Sequence, residues 1–147
     1  MSAARWLTSA AKRHEVADWL TYRDSVEIPP NPGGRGYPDP IIFPWTDRIN
    51  AIPHVCTLQS CSGHRTGNGD GSTHVYAGQL WLWLTEPAAR AAYVRLPELA
   101  ALPEVETARI LMIDGQEILD VIFPGSETED GLGTTLLPLI DWLGGLA

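Results

Sequence analysis

Both cysteines and three of the four histidines fall between His54 and His74, in HVCTLQSCSGHRTGNGDGSTH. Four chemistries compete for that stretch. Cys56, Cys61, His64 and His74 are ligand types that zinc takes, but their C-x4-C-x2-H-x9-H spacing matches no usual finger or ribbon. In a strand, the odd separation of Cys56 and Cys61 also puts them on opposite faces unless a bulge intervenes. Cys61 could instead be a nucleophile with His64 as its base and Arg65 nearby, although no family-specific protease or transferase signature surrounds them. A third reading makes SCSGHRTGNGDGS an anion or nucleotide cradle, in which exposed backbone N–H groups, hydroxyls, His64 and Arg65 meet a carboxylate, phosphate or ribose. It is neither a Walker loop nor a Rossmann fingerprint, because GNGDG precedes a strand rather than a helix. The plainest reading leaves Cys56 in the core beside Leu58 and the loop as a hairpin connection.

The elements that must position these residues follow from periodicity. Trp6, Leu7, Ala10, Val16, Trp19 and Leu20 recur at three- and four-residue steps, which predicts an amphipathic helix from Ala3 to about Tyr22. A proline- and glycine-rich excursion follows, and its segment from Pro29 to Pro40 is a candidate lid. PWTDRINAI reads as a short helix with Pro44 in its first turn. HVCTLQSC alternates, with Val55, Thr57 and Gln59 on one face and Cys56, Leu58 and Ser60 on the other. HVYAGQLWLWL alternates again, with Leu80, Leu82 and Leu84 opposite Trp81 and Trp83, so both its faces are apolar and it belongs in the middle of a sheet. EPAARAAYVRL is a third helix, begun by Thr85, Glu86 and Pro87. Two aliphatic runs flanking Asp114 and Gly115 predict an antiparallel hairpin. GTTLLPLIDWL holds a last helix, started or interrupted near Pro138 and ended at Gly144 and Gly145. The fold expected is one α+β domain over residues 1–147, with a single, mainly antiparallel sheet of about four strands packed with helices.

Bulk properties narrow the function. The net charge is −8. Residues 1–66 carry seven Lys/Arg against six Asp/Glu, whereas residues 67–147 carry three against twelve. An acidic chain is poorly suited to sequence-blind binding of nucleic acid, which relies on counterion release by clustered cations. Any RNA would be met by Arg5, Lys12, Arg13, Arg23, Arg35, Arg48 and Arg65. No apolar run is long enough to span a membrane and the N-terminus lacks a signal-peptide core, which points to a cytoplasmic protein with reduced thiols.

DRINAIPHVCTLQSCSGHR, followed shortly by GQLWLWL, resembles the tRNA wybutosine-synthesis methyltransferase family. The matching residues are Ile49, Asn50, Thr57, Ser60, Cys61, Ser62, Gly63, Trp81 and Leu82. They differ from the family pattern at Leu58, Gln59 and His64, with an arginine one step later at Arg65. The resemblance implies an α+β domain that binds S-adenosylmethionine in a non-Rossmann manner and methylates a modified guanine in tRNA, a substrate that the acidic C-terminal half disfavours. The residues expected to do the chemistry are Asp47, Ser60 and His64. Asn50, Ser60, Cys61, Ser62, Gly63, His64, Arg65 and Tyr76 are expected to bind the ligand, with Tyr37, Trp45 and Tyr76 as stacking candidates. No metal is expected. A nucleotide- or partner-binding module without catalysis, using the apolar faces around Trp81 and Trp83, is the alternative, and a zinc protein the third.

Overall fold

The computed structural model describes residues 4–25, 40–61, 65–67, 73–75, 77–126 and 128–147, with backbone alone at 24–25, 40, 61, 65–67 and 73–75. Helix α1 spans Ser9–Ser25. Thr8 caps it, because its hydroxyl accepts from the Ala11 N–H at 3.1 Å. The helix therefore starts six residues later than its apolar periodicity suggests. Leu7, in the segment before it, donates its N–H to the Leu84 carbonyl. A 3₁₀ turn at Pro40–Ile42 leads into α2, Phe43–Asn50, with Pro44 in its first turn.

Strand β1 (Val55–Cys61) pairs antiparallel with β4 (Gly78–Leu84). Between them, β2 (Arg65–Gly67) and β3 (Thr73–Val75) form a separate two-stranded ladder. The run expected as one strand from His74 is thus two. Its second part begins at Gly78, where a Cβ would come within 2.1 Å of the Phe123 ring, so the close approach of backbone to ring requires glycine. Helix α3 (Glu86–Ala100) carries Pro97 within it. The hairpin strands are β5 (Thr107–Ile113) and β6 (Gln116–Phe123). Asp114 at φ 50 and Gly115 at φ 81 make the two-residue turn whose twist matches the strands. Helix α4 (Glu129–Gly144) begins at Thr128, whose hydroxyl accepts from Gly131 N–H at 3.0 Å. Its start precedes Pro138, which lies inside the helix.

The main sheet has the order β1-β4-β6-β5, every neighbouring pair antiparallel. The fold is α+β. As its two apolar faces require, β4 is central. One face carries Val55, Leu80, Leu82, Leu84, Leu119, Val121 and Phe123 into a core with α2, α3 and α4. The other buries Cys56, Trp83 and Ile118 under Leu7 and α1. Trp83 is 3% exposed, so it is an interior residue rather than a docking face, and its indole N–H donates to the Arg5 carbonyl at 3.1 Å. Among the described residues no helix is long and apolar enough to cross a membrane.

Candidate functional site

The pairing of β1 with β4 slips between Thr57 and Gln59. Up to Thr57 the strand alternates as its sequence implies. The extra residue, Leu58, then shifts the phase, as a bulge does. Gln59 pairs with Trp81 and Ser60 with Leu80, so the two exchange the faces that strict alternation gives them. Ser60 joins Val55 and Thr57 on the face covered by α2, and Gln59 lies on the Trp81 face. Cys61 pairs with Gln79 and Cys56 with Trp83, so the bulge restores both cysteines to one face. Four residues of β4 separate their partners, however, or about 13 Å of strand. That is too far for a shared zinc ion or a disulfide.

On the helix side, Asn50 at the end of α2 locks onto the middle of β1. Its side-chain carbonyl accepts from Thr57 N–H at 2.9 Å, and its amide donates to the Thr57 hydroxyl at 3.0 Å. Ser60 is the next residue on that face. It is half-buried, and its hydroxyl makes no hydrogen bond among the described residues. Asp47 lies one turn before Asn50 on α2, exposed, with its carboxylate held by Arg23 of α1 at 3.0 Å. The structure therefore gathers Asn50, Thr57 and Ser60 into one strip, with Asp47 on the adjoining turn. Cys61 and Arg65 are placed as backbone only. Ser62, Gly63, His64, Tyr37 and Tyr76 lie outside the described residues. Trp45 is no stacking platform: it is 8% exposed, and its indole N–H donates to the Glu129 carbonyl at 3.1 Å, which pins α2 to α4. His54 is likewise structural, its Nε2 bonded to the Leu143 carbonyl at 2.7 Å.

The opposite face holds a polar row that spacing did not reveal. Gln59, Trp81, Asp120 and Arg109 stand opposite one another across all four strands. Asp120 is fully buried. It accepts from Gln79 Nε2 at 2.8 Å and from Arg109 Nε at 2.9 Å, which satisfies both carboxylate oxygens. The only sequence signal was a lone carboxylate inside the apolar run ILDVIF.

Where α1 meets β1, the Lys12 ammonium donates to the Ile52 carbonyl. Burial lowers its pKa, partly opposed by the nearby Cys56. Burial also raises the Cys56 thiol to about 11, helped by Glu15 and opposed by Lys12. Cys56 is a free, buried thiol of the inert kind. Among the described residues no three His, Cys, Asp or Glu side chains gather as a metal site.

No protein-family model matches the chain. Over 100 residues, 68% of its length, the chain is 31% identical to the tRNA wybutosine-synthesizing protein 3 of Schizosaccharomyces pombe. It covers 38% of that relative, so the relationship is distant and partial. Among solved structures, the PH1069 protein from Pyrococcus horikoshii aligns with 93% of this chain and 90% of its own, at a TM-score of 0.45 and 12% identity.

Proposed function

We propose that the chain is a tRNA-modification domain that binds S-adenosylmethionine beside the end of β1 and methylates a nucleobase. The observation that carries this reading is the Ser60 hydroxyl: half-buried, without a partner among the described residues, and next on the face that holds the hydrogen-bonded Asn50–Thr57 pair. A half-buried hydroxyl that no described residue engages is free to donate to or accept from a ligand hydroxyl or carboxylate. The distant likeness to a wybutosine-synthesis protein supports a role in tRNA modification.

S-adenosylmethionine supplies a methyl group on a sulfonium, and transfer from it depends on holding donor and acceptor in line and on removing the acceptor's proton. Ser60 would orient the donor. Asn50, whose side chain is spent on Thr57, would hold the strip in place rather than touch the ligand. Asp47 and His64 are the proton acceptors in this reading, and Ser62, Gly63 and Arg65 are further candidates for binding the ligand.

One observation favours a second reading, a nucleotide-binding module without transfer. The Asp47 carboxylate is already paired with Arg23, which diminishes it as a base. The two readings separate in a transfer assay with methyl-labelled S-adenosylmethionine and tRNA carrying the unfinished modified guanine. Label in the tRNA, abolished by Ser60→Ala together with His64→Ala, supports transfer. Ligand binding with no label in the tRNA leaves the binding module.

A further inference from the structure

Between α1 and the turn that leads from α2 into β1 lies a concave space of about 490 Å³. One wall is aliphatic, made by Val16, Ala17 and Leu20 of α1 with Pro53 from the turn before β1. The other is cationic, made by Lys12 and Arg13, and among the described residues no carboxylate lines the space. That combination is unusual in this molecule. Arg5, Arg23, Arg90, Arg95 and Arg109 are each bonded to a carboxylate of the chain's own. Among the described residues Lys12, Arg13 and Arg48 have no such ion pair; Arg48 lies over the Trp45 ring, and only Lys12 and Arg13 share a hollow, in a protein whose net charge is −8. Two cations left without carboxylates in one hollow of an acidic protein mark a place shaped for an anion from outside.

We propose that this groove binds a small aliphatic carboxylate, with its chain along Val16, Leu20 and Pro53 and its head against Lys12 and Arg13. The volume suits a small molecule. Among the described residues no aromatic ring lines the groove, so they offer no stacking platform for a nucleobase and favour a saturated chain. Lys12 spends one N–H on the Ile52 carbonyl, and two remain for the ligand. Burial makes its ammonium costly, and an anionic head offsets that cost. This site is separate from the methyl-donor reading; Asn50 borders it, but its side chain is occupied by Thr57.

The test is a titration of the isotope-labelled full chain, followed by amide NMR shifts, with octanoate and with octyltrimethylammonium. The two probes share a tail and differ in the sign of the head. Octanoate is expected to shift residues 9–20 and 50–53 saturably and the cation to leave them still. Arg13→Glu, at an exposed position that the fold does not need, should weaken octanoate about tenfold, since it replaces an attraction with a repulsion. Leu20→Ser, at a position 37% exposed, should weaken it through the tail alone. Equal shifts with both probes, shifts mapping elsewhere, or unchanged affinity in Arg13→Glu would each overturn the proposal. None of these outcomes depends on S-adenosylmethionine.

Discussion

On the face of the sheet turned toward α2, α3 and α4, the central positions of β4 and β6 are leucine, valine and phenylalanine, nearly all without exposure. On the face turned toward α1, one apolar row of Cys56, Trp83 and Ile118 gives way within two residues to Gln59, Trp81, Asp120 and Arg109. The same strands thus build a continuous core on one side and a half-core with a polar row on the other. Transfer of apolar area from water is non-directional, so the first face supplies stability wherever its volume is filled. A buried carboxylate stabilises only if its partners stay in place, so the second face contributes specificity of arrangement. Its polar row ends beside Cys61, where the candidate loop begins.

That contrast can be broken or sharpened by substitution. The largest effect is expected on the apolar face: Leu82→Ala, at a position with no exposure, should cost about 2–5 kcal/mol in denaturant unfolding. On the polar face, Arg109→Met should cost about 2 kcal/mol, because it leaves Asp120 buried with Gln79 alone, while the half-exposed guanidinium keeps the loss below that of a fully buried pair. Between the faces, Asn50→Ala should cost about 1–2 kcal/mol by stranding the Thr57 N–H. Trp81→Phe should stay within about 0.5 kcal/mol of neutral, because among the described residues its buried indole N–H makes no hydrogen bond to lose. An Arg109→Met loss larger than that of Leu82→Ala would invert the comparison.

A pH dependence separates the small apolar row from the large core. The Cys56 thiol is raised in the folded state to about 11 from an ordinary 9.0, so its contribution is complete below pH 9 and is lost as pH climbs toward 11. Lys12 runs the other way: its lowered pKa penalises the charged form, so stability is regained as the amine loses its proton. Unfolding curves of the protein and of Cys56→Ala compared from pH 8 to 11 isolate the thiol, and the stability gap between them should narrow with rising pH.

Much of the fold was legible because local signals and tertiary packing agree. Asp114 and Gly115 fixed a hairpin that no long-range contact needed to impose, and the two apolar faces of GQLWLWL placed β4 in the middle of the sheet. The misses share a cause. Leu58 bulges because Asn50 seizes Thr57, and a tertiary contact of that kind leaves no trace in alternation, so the faces of Gln59 and Ser60 came out exchanged. α4 begins at Glu129, before the GTTLLPLIDWL run expected to hold it, because Thr128 caps it, and it runs through Pro138 rather than starting or breaking there. Of the residues around the candidate site, Asn50 and Ser60 were singled out by their motif, but the hydrogen bonds of Asn50 to Thr57 were not legible there. The Asp120 row was not, since Arg109 and Gln79 meet it only through strand pairing.

The most direct test of the central claim is calorimetric titration of the chain with S-adenosylmethionine, repeated on Ser60→Ala. The account predicts saturable one-to-one binding, retained with S-adenosylhomocysteine and weakened about tenfold when the hydroxyl is removed, as expected for a hydrogen bond lost at a half-buried site. Absence of heat with both ligands, or binding that Ser60→Ala leaves untouched, would contradict it.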